Sequence, residues 1–361
     1  MNSGTLIQLV ANGDGESAYY TQDSSGEAMF SKGRDVFNHT PFLLDVREYR
    51  LPLLSGNVVN FEVPLDGHLL KSVSLVVLPP PGGWTDNYHQ NQYPVENYIE
   101  WCEVWFGDQL VEHFSSLWYK TMCSFLYPPA KTNGITRMAT SKYGPRYVPI
   151  PFFFTYNQQP LPIISMTNTT VQLRFSVPKS MLAVSHVVRM VADFVVLGDQ
   201  ECRLFAQTRF AQTTVLVKEF TFAKVYSDRT RIRLEGPVTD LFVTFTDSSG
   251  VAVDAVDTIS LNTNGNVTCS LDSTGYSRLI KPWELYAGGG GNKAGYTTHV
   301  FAFALYPNKL FPSGTLNYNV VTDCYLEYTL KPIYEASLLR MNIVCRNRHR
   351  IVYMSGQSAV E

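Results

Sequence analysis

Several stretches of this sequence carry residue types suited to chemistry, and each lacks the spacing that chemistry needs. Gly288-Gly289-Gly290-Gly291-Asn292-Lys293 is glycine-rich and ends in a lysine, as a phosphate-cradling loop would. Such a loop needs glycine directly before the lysine and a hydroxyl residue directly after it. Here Asn292 precedes and Ala294 follows, so the segment reads as a flexible surface loop. Glu100 and Glu103 sit beside Trp101 and Trp105. Paired carboxylates near aromatic rings suit a sugar cleft; an edge strand with solvated acids is the reading adopted. The seven histidines, His39, His68, His89, His113, His186, His299 and His349, include no His-x-His pair, so a metal would need distant partners. Zincin, nucleophile-elbow and EF-hand patterns are absent from the sequence. The basic run Arg346-Asn347-Arg348-His349-Arg350 suits nucleic acid or an acidic neighbour, and is expected instead as a solvated turn between strands or an intersubunit contact. No catalytic residue, cofactor or metal is assigned.

The elements around these residues are mostly strands. Val59, Phe61 and Val63 alternate with polar residues, as do Val171, Leu173, Phe175 and Val177, Ile232 and Leu234, and Cys324, Leu326, Tyr328 and Leu330. Period-two alternation buries one face of a sheet and wets the other. Turn clusters separate the runs at Pro79 to Gly83, Asn157 to Pro160, Asp247 to Gly250 and Phe311 to Gly314. One stretch has helical period: Phe114, Trp118, Met122 and Phe125 form a single stripe stopped by Pro128-Pro129. It reads as a helix closing one end of a sandwich, its stripe in the core.

With 361 residues, the chain is long enough for two domains at roughly 150 residues each. Many short strands with Pro and Gly in the turns argue for sandwiches or barrels. The expected fold is all-β: two tandem eight-stranded jelly rolls with a short helix and an extended N-terminal arm. The expected divisions are an arm over 1–27, a first jelly roll over 28–198 and a second over 199–361. The seam falls near Leu197-Gly198-Asp199-Gln200, where a strand gives way to a polar turn. A net charge of -2 argues against coating nucleic acid, which calls for a basic face. The six cysteines contain no close pair and are expected as reduced thiols. The N-terminus lacks the charged start and apolar stretch of a secretory signal, so synthesis inside a cell is expected.

Six blocks, in order along nearly the whole chain, resemble the major capsid proteins of nucleocytoplasmic large DNA viruses, the iridovirus, phycodnavirus and mimivirus group. They are Gly4 to Gly13, Phe37-Asn38-His39-Thr40-Pro41-Phe42, Phe106-Gly107-Asp108-Gln109-Leu110, Tyr147 to Phe154 with Gln159 to Ile164, Glu201 to Gln207, and Phe303 to Pro307 with Pro312 to Tyr318. The family's C-terminal pattern is replaced here by Glu335 to Arg340 and the basic run, though Met354-Ser355-Gly356 survives. The resemblance implies a homotrimeric, nearly hexagonal capsomer that tiles the icosahedral shell of a large double-stranded DNA virus. It implies a virion protein assembled in the host cytoplasm, with neighbouring capsomers, minor capsid or cement proteins and penton proteins as partners. The arm, through Leu6, Ile7, Leu9 and Val10, would contact those proteins or the internal membrane side. Gly288, Gly289, Gly290 and Gly291 would form an outer loop. The alternatives are a capsid-like paralogue or a glycan-binding β-sandwich surface protein.

Overall fold

Alternating residues become paired strands in the computed structural model, which describes residues 42–51, 57–79, 83–84, 98–141, 144–178, 188–223, 225, 229–271, 275–289, 297–309, 313–334, 337–354 and 357–360. The first eight strands are β1 (Phe42–Arg50), β2 (Val58–Glu62), β3 (Leu69–Val77), β4 (Trp101–Phe106), β5 (Gln109–Ser115), β6 (Arg146–Ile150), β7 (Val171–Ser176) and β8 (Val188–Leu197). They form two four-stranded sheets, in the orders β1-β8-β3-β6 and β2-β7-β4-β5.

The remaining strands are β9 (Phe210–Phe222), β10 (Arg229–Arg231), β11 (Pro237–Thr246), β12 (Val256–Thr263), β13 (Asn266–Leu271), β14 (Thr298–Ala302), β15 (Leu316–Asn317), β16 (Cys324–Leu330), β17 (Arg340–Met354) and β18 (Gln357–Val360). One sheet runs β10-β16-β12-β13. In the other, β17 lies between β9 and β11, and β14 follows β11. With the short β15 and the terminal β18 set aside, the second half repeats the first: one-eight-three-six faces two-seven-four-five. That order is the jelly roll, present twice.

Inward positions follow the alternation. Val171, Leu173 and Phe175 on β7 are buried, as are Cys324, Leu326 and Tyr328 on β16. Four local expectations need correction. Ile232 and Leu234 are buried, but β10 stops at Arg231, and past it the Ile232 N–H donates to the Cys324 carbonyl at 2.9 Å, so the alternation outruns the strand. The helical stripe begins on a strand, since Phe114 belongs to β5. The helix α1 (Ser116–Thr121) then continues as a π-helical turn over Met122–Leu126. All four stripe residues are buried. The prolines do not only stop a helix: Pro129 opens α2 (Pro129–Ala139), at the position where its missing N–H costs nothing. The polar turn expected after Leu197 is the first turn of another helix, α4 (Asp199–Gln207), which follows the short α3 (Phe153–Tyr156). The chain thus carries several helices rather than one, the last being α5 (Lys281–Leu285).

Leu43–Glu361 is one compact unit, and the core explains why. The second jelly roll has its own cluster around Leu241, Val243, Phe245, Ile259, Leu326 and Ile343. The first jelly roll's cluster extends into the second through Leu216, Val217, Phe242, Tyr286, Val344 and Tyr353. On β11, Leu241 and Val243 face their own barrel while Phe242 faces the other. Strand β11 is therefore buried on both faces over nine of its ten residues, and it reads as a continuous apolar run rather than an alternating one.

Candidate functional site at the seam between the barrels

Several buried charged side chains gather where the two barrels meet. Strand β11 reads Val238-Thr239-Asp240-Leu241-Phe242-Val243, with one acid in an apolar run. Asp240 is fully buried and Arg346, on the paired strand β17, is 3% exposed. Arg346 Nε donates to Asp240 Oδ1 at 2.8 Å and Nη2 donates to Oδ2, a bidentate pair. Tyr286 donates its hydroxyl to Oδ2 at 2.5 Å, and Arg346 also donates to the Pro307 carbonyl at 3.2 Å. Burial disfavours the Arg346 charge, but Asp240 outweighs it and holds the guanidinium above its ordinary pKa. The basic run is therefore no solvated turn. It lies in the middle of the longest strand, and its first arginine is consumed inside the protein.

Two further carboxylates reach across the seam in opposite directions. Glu112, on β5, is 2% exposed. It accepts from the Phe153 N–H at 2.9 Å, the Tyr156 hydroxyl at 3.2 Å, and the backbone of Val217 in the second barrel. Burial pushes its pKa up to about 8, against those hydrogen bonds. Glu219, on β9, reaches back: its Oε1 accepts from the Ser115 and Trp118 N–H groups at 3.1 Å each. It thereby satisfies donors at the start of α1, beside the Ser115 hydroxyl that caps Leu117. Burial raises the Glu219 pKa, and the bonds from Ser115 and Trp118 oppose the rise. The stretch after α3 completes the seam. Asn157 Nδ2 donates to Thr214 Oγ1 at 2.8 Å and to the Val215 carbonyl at 3.0 Å, and Tyr156 donates to the same carbonyl.

The candidates from sequence fall elsewhere. Glu103 is not on an edge: β4 lies between β7 and β5, and Glu103 accepts from Trp105 Nε1 at 2.7 Å and pairs with His113 at 3.1 Å. Glu100 accepts from Ser176 Oγ at 2.7 Å. The two acids have separate partners and do not converge. Gly288 is not a free loop residue. Its N–H donates to the Phe125 carbonyl at 2.8 Å, and a Cβ there would stand 2.5 Å from the Ser124 carbonyl. Gly289 takes φ +59°, a left-handed conformation that favours glycine. Gly290 and Gly291 lie outside the described residues, as do Leu6, Ile7, Leu9 and Val10. Sequence reading missed Asp240, Glu112 and Glu219. The available signal was a charge at an inward position of an apolar strand, as in Leu110-Val111-Glu112-His113-Phe114.

Glu112 and Glu219 bind the opposite barrel, and Asp240 and Arg346 pair within the second one. Residues 38–207 match the family described as major capsid protein N-terminus. The major capsid protein of Paramecium bursaria Chlorella virus 1 is 22% identical over 91% of this chain and 88% of its own. Among solved structures, PBCV-1 VP54, fitted into a cryo-EM reconstruction of the virophage Sputnik, aligns with a TM-score of 0.77 at 17% identity, covering 90% of this chain and 97% of that one. The Faustovirus major capsid protein aligns with a TM-score of 0.68 at 9% identity, covering 97% and 98%. Fold and matches define the class: this is a double jelly-roll chain, with the fold of the viral major capsid proteins it aligns with. Within it, residues 38–207 are similar to the N-terminal region of major capsid proteins.

Proposed function

We propose that the chain is the shell-building subunit of a large double-stranded DNA virus, working as a homotrimer. The observation that carries this reading is the repetition of one strand order in two barrels joined by a shared core. Three such chains around a threefold axis place six similar barrels in a ring, and a nearly hexagonal unit tiles a flat facet. The rigid seam fits that task, because a tile must keep the angle between its barrels when neighbours press on it. We take residues 28–198 and 199–361 as the two barrel domains and 1–27 as the arm. The arm faces inward through Leu6, Ile7, Leu9 and Val10, toward minor capsid proteins or the internal membrane side. The loop beginning at Gly288 rises on the outer face. Neighbouring capsomers and penton proteins complete the partner set, in a virion assembled in the host cytoplasm.

Sedimentation equilibrium of the purified chain is expected to give three times the chain mass, with threefold particles in negative stain. A monomer at every concentration would sink the trimer. Removing residues 1–27 is expected to leave the trimer intact and to impair shell assembly. Unchanged assembly would remove the arm from this role.

A further inference from the structure

One end of the second barrel is closed over a buried histidine. His299, on β14, pairs in register with Val243 of β11 and shares its inward face. Its ring stands edge-on to Phe245 at 6.2 Å between centroids, and the residue is 1% exposed. The segment packed over it is the π-helical turn Tyr276–Ile280, which runs directly into α5. Ser277, itself buried, places its Oγ 3.0 Å from His299 Nδ1. The next residue, Arg278, donates from Nη1 to Asp254 Oδ2 at 2.5 Å, and Lys331 Nζ donates to the same oxygen at 2.8 Å.

Three charges therefore act on the imidazole: Arg278 from the covering segment, Asp254 from the connection between β11 and β12, and Lys331 directly after β16. Strand β11 contributes the apolar Val243 and Phe245. A proton on His299 would add a third positive charge where one carboxylate is already shared by two cations. The far end of the segment is fastened by other means. Tyr286 donates its hydroxyl to Asp240 Oδ2 at 2.5 Å, and the Gly288 N–H donates to the Phe125 carbonyl at 2.8 Å. One end is thus held beside a titratable ring, and the other by an ion-paired carboxylate and a backbone carbonyl.

We propose that residues 276–285 form an acid-sensitive flap, in which protonation of His299 releases the Ser277–Arg278 end while Tyr286 and Gly288 serve as the hinge. Burial disfavours the imidazolium, Arg278 and Lys331 add to the effect, Asp254 opposes it, and the His299 pKa falls from 6.5 to about 3. Burial pushes the Asp254 carboxyl up, but Lys331 and Arg278 outweigh it and hold the pKa below its ordinary value, so Asp254 stays ionised while a histidine titrates. The stability that neutral His299 gives the closed flap is complete above about pH 6.5 and is lost as pH falls toward about 3. Each pH unit below about 6.5 multiplies the open fraction about tenfold, which amounts to about thirtyfold between pH 7.5 and pH 5.0.

The test is hydrogen exchange of the full chain, read by mass spectrometry and corrected for the intrinsic pH dependence of amide exchange. From about pH 7.5 to pH 5.0, protection over 276–285 should fall about thirtyfold while protection over β12 stays constant. H299N keeps a hydrogen-bonding group near Ser277 and takes up no proton, so its protection should stay level. The wild-type profile serves as a check that needs no variant: a histidine sets the onset near about pH 6.5, a carboxylate near about pH 4.5. Four results would each overturn the flap: unchanged protection over 276–285, an onset near about pH 4.5, an equal fall over β12, or an equal fall in H299N.

Discussion

Arg346 and Asp240 stand 106 residues apart in sequence and meet as a bidentate pair beneath Tyr286. Two ions taken out of water need each other's charge, so removing one strands the other. Arg346→Met is expected to lower unfolding stability by about 3–5 kcal/mol in urea titration, whereas replacing both partners with apolar residues should cost far less. Glu112 gives the seam a pH dependence. Its folded pKa, about 8, lies above the ordinary 4.5. The stability it contributes is therefore complete below about pH 4.5 and is lost as pH rises through about 8. Glu112→Gln should flatten that decline, on the order of a few kcal/mol between pH 5 and pH 9. Unfolding midpoints that fall equally in both proteins would remove Glu112 as the cause. Gly288 offers a third check. An alanine Cβ would meet three backbone carbonyls, of Ser124, Phe125 and Tyr127, within 2.8 Å. Gly288→Ala should cost about 1–3 kcal/mol, read as a lower melting temperature.

At the scale of elements, α1 is a short helix held at its start from both barrels. The Ser115 hydroxyl accepts one N–H and Glu219 accepts two more. Glu219→Ala should cost about 1–2 kcal/mol, with hydrogen exchange accelerating first at the Ser115 and Trp118 amides. Uniform acceleration across the chain would speak against a local cap. The strands were readable because alternation has period two and needs no partner to be seen. The places where reading failed share one cause. Phe114 to Phe125 keeps an apolar stripe through a strand, a helix and a π-turn, because what it packs against is continuous while the backbone conformation is not. The basic run looked like a turn because β17 is long enough to pass from solvent into the seam, and its arginines take different surroundings along the way.

For the molecule as a whole, the shared core sets how separable the barrels are. The Phe125 ring lies tilted against Phe242 at 5.2 Å and edge-on to Tyr286 at 6.1 Å between ring centroids, across the seam. The first barrel expressed alone would leave Phe125 and its neighbours in water. Residues 28–198 by themselves are expected to aggregate or to bind a hydrophobic dye such as ANS, while the full chain does not. A stable, dye-negative fragment would mean that the seam is an ordinary docking contact. The two-barrel organisation itself was legible from chain length and strand density, and the ordered family blocks pointed to its kind. The interdependence of the barrels was not.

What the sequence determined by itself is what neighbouring residues can decide: which stretches alternate, where turns fall, and which apparent motifs lack the spacing for chemistry. Those are local properties, and a single strand expresses them before it has a partner. Only the tertiary structure decided that Glu112 and Glu219 each accept hydrogen bonds from the opposite barrel, that Arg346 is spent on Asp240, and that Gly288 is pinned to a carbonyl of the other barrel. The contacts of Glu112, Glu219 and Gly288 depend on how the two barrels pack, and that of Arg346 on the one-eight-three-six order of strands. That order sets residues more than a hundred positions apart side by side, and no pattern along the chain encodes it.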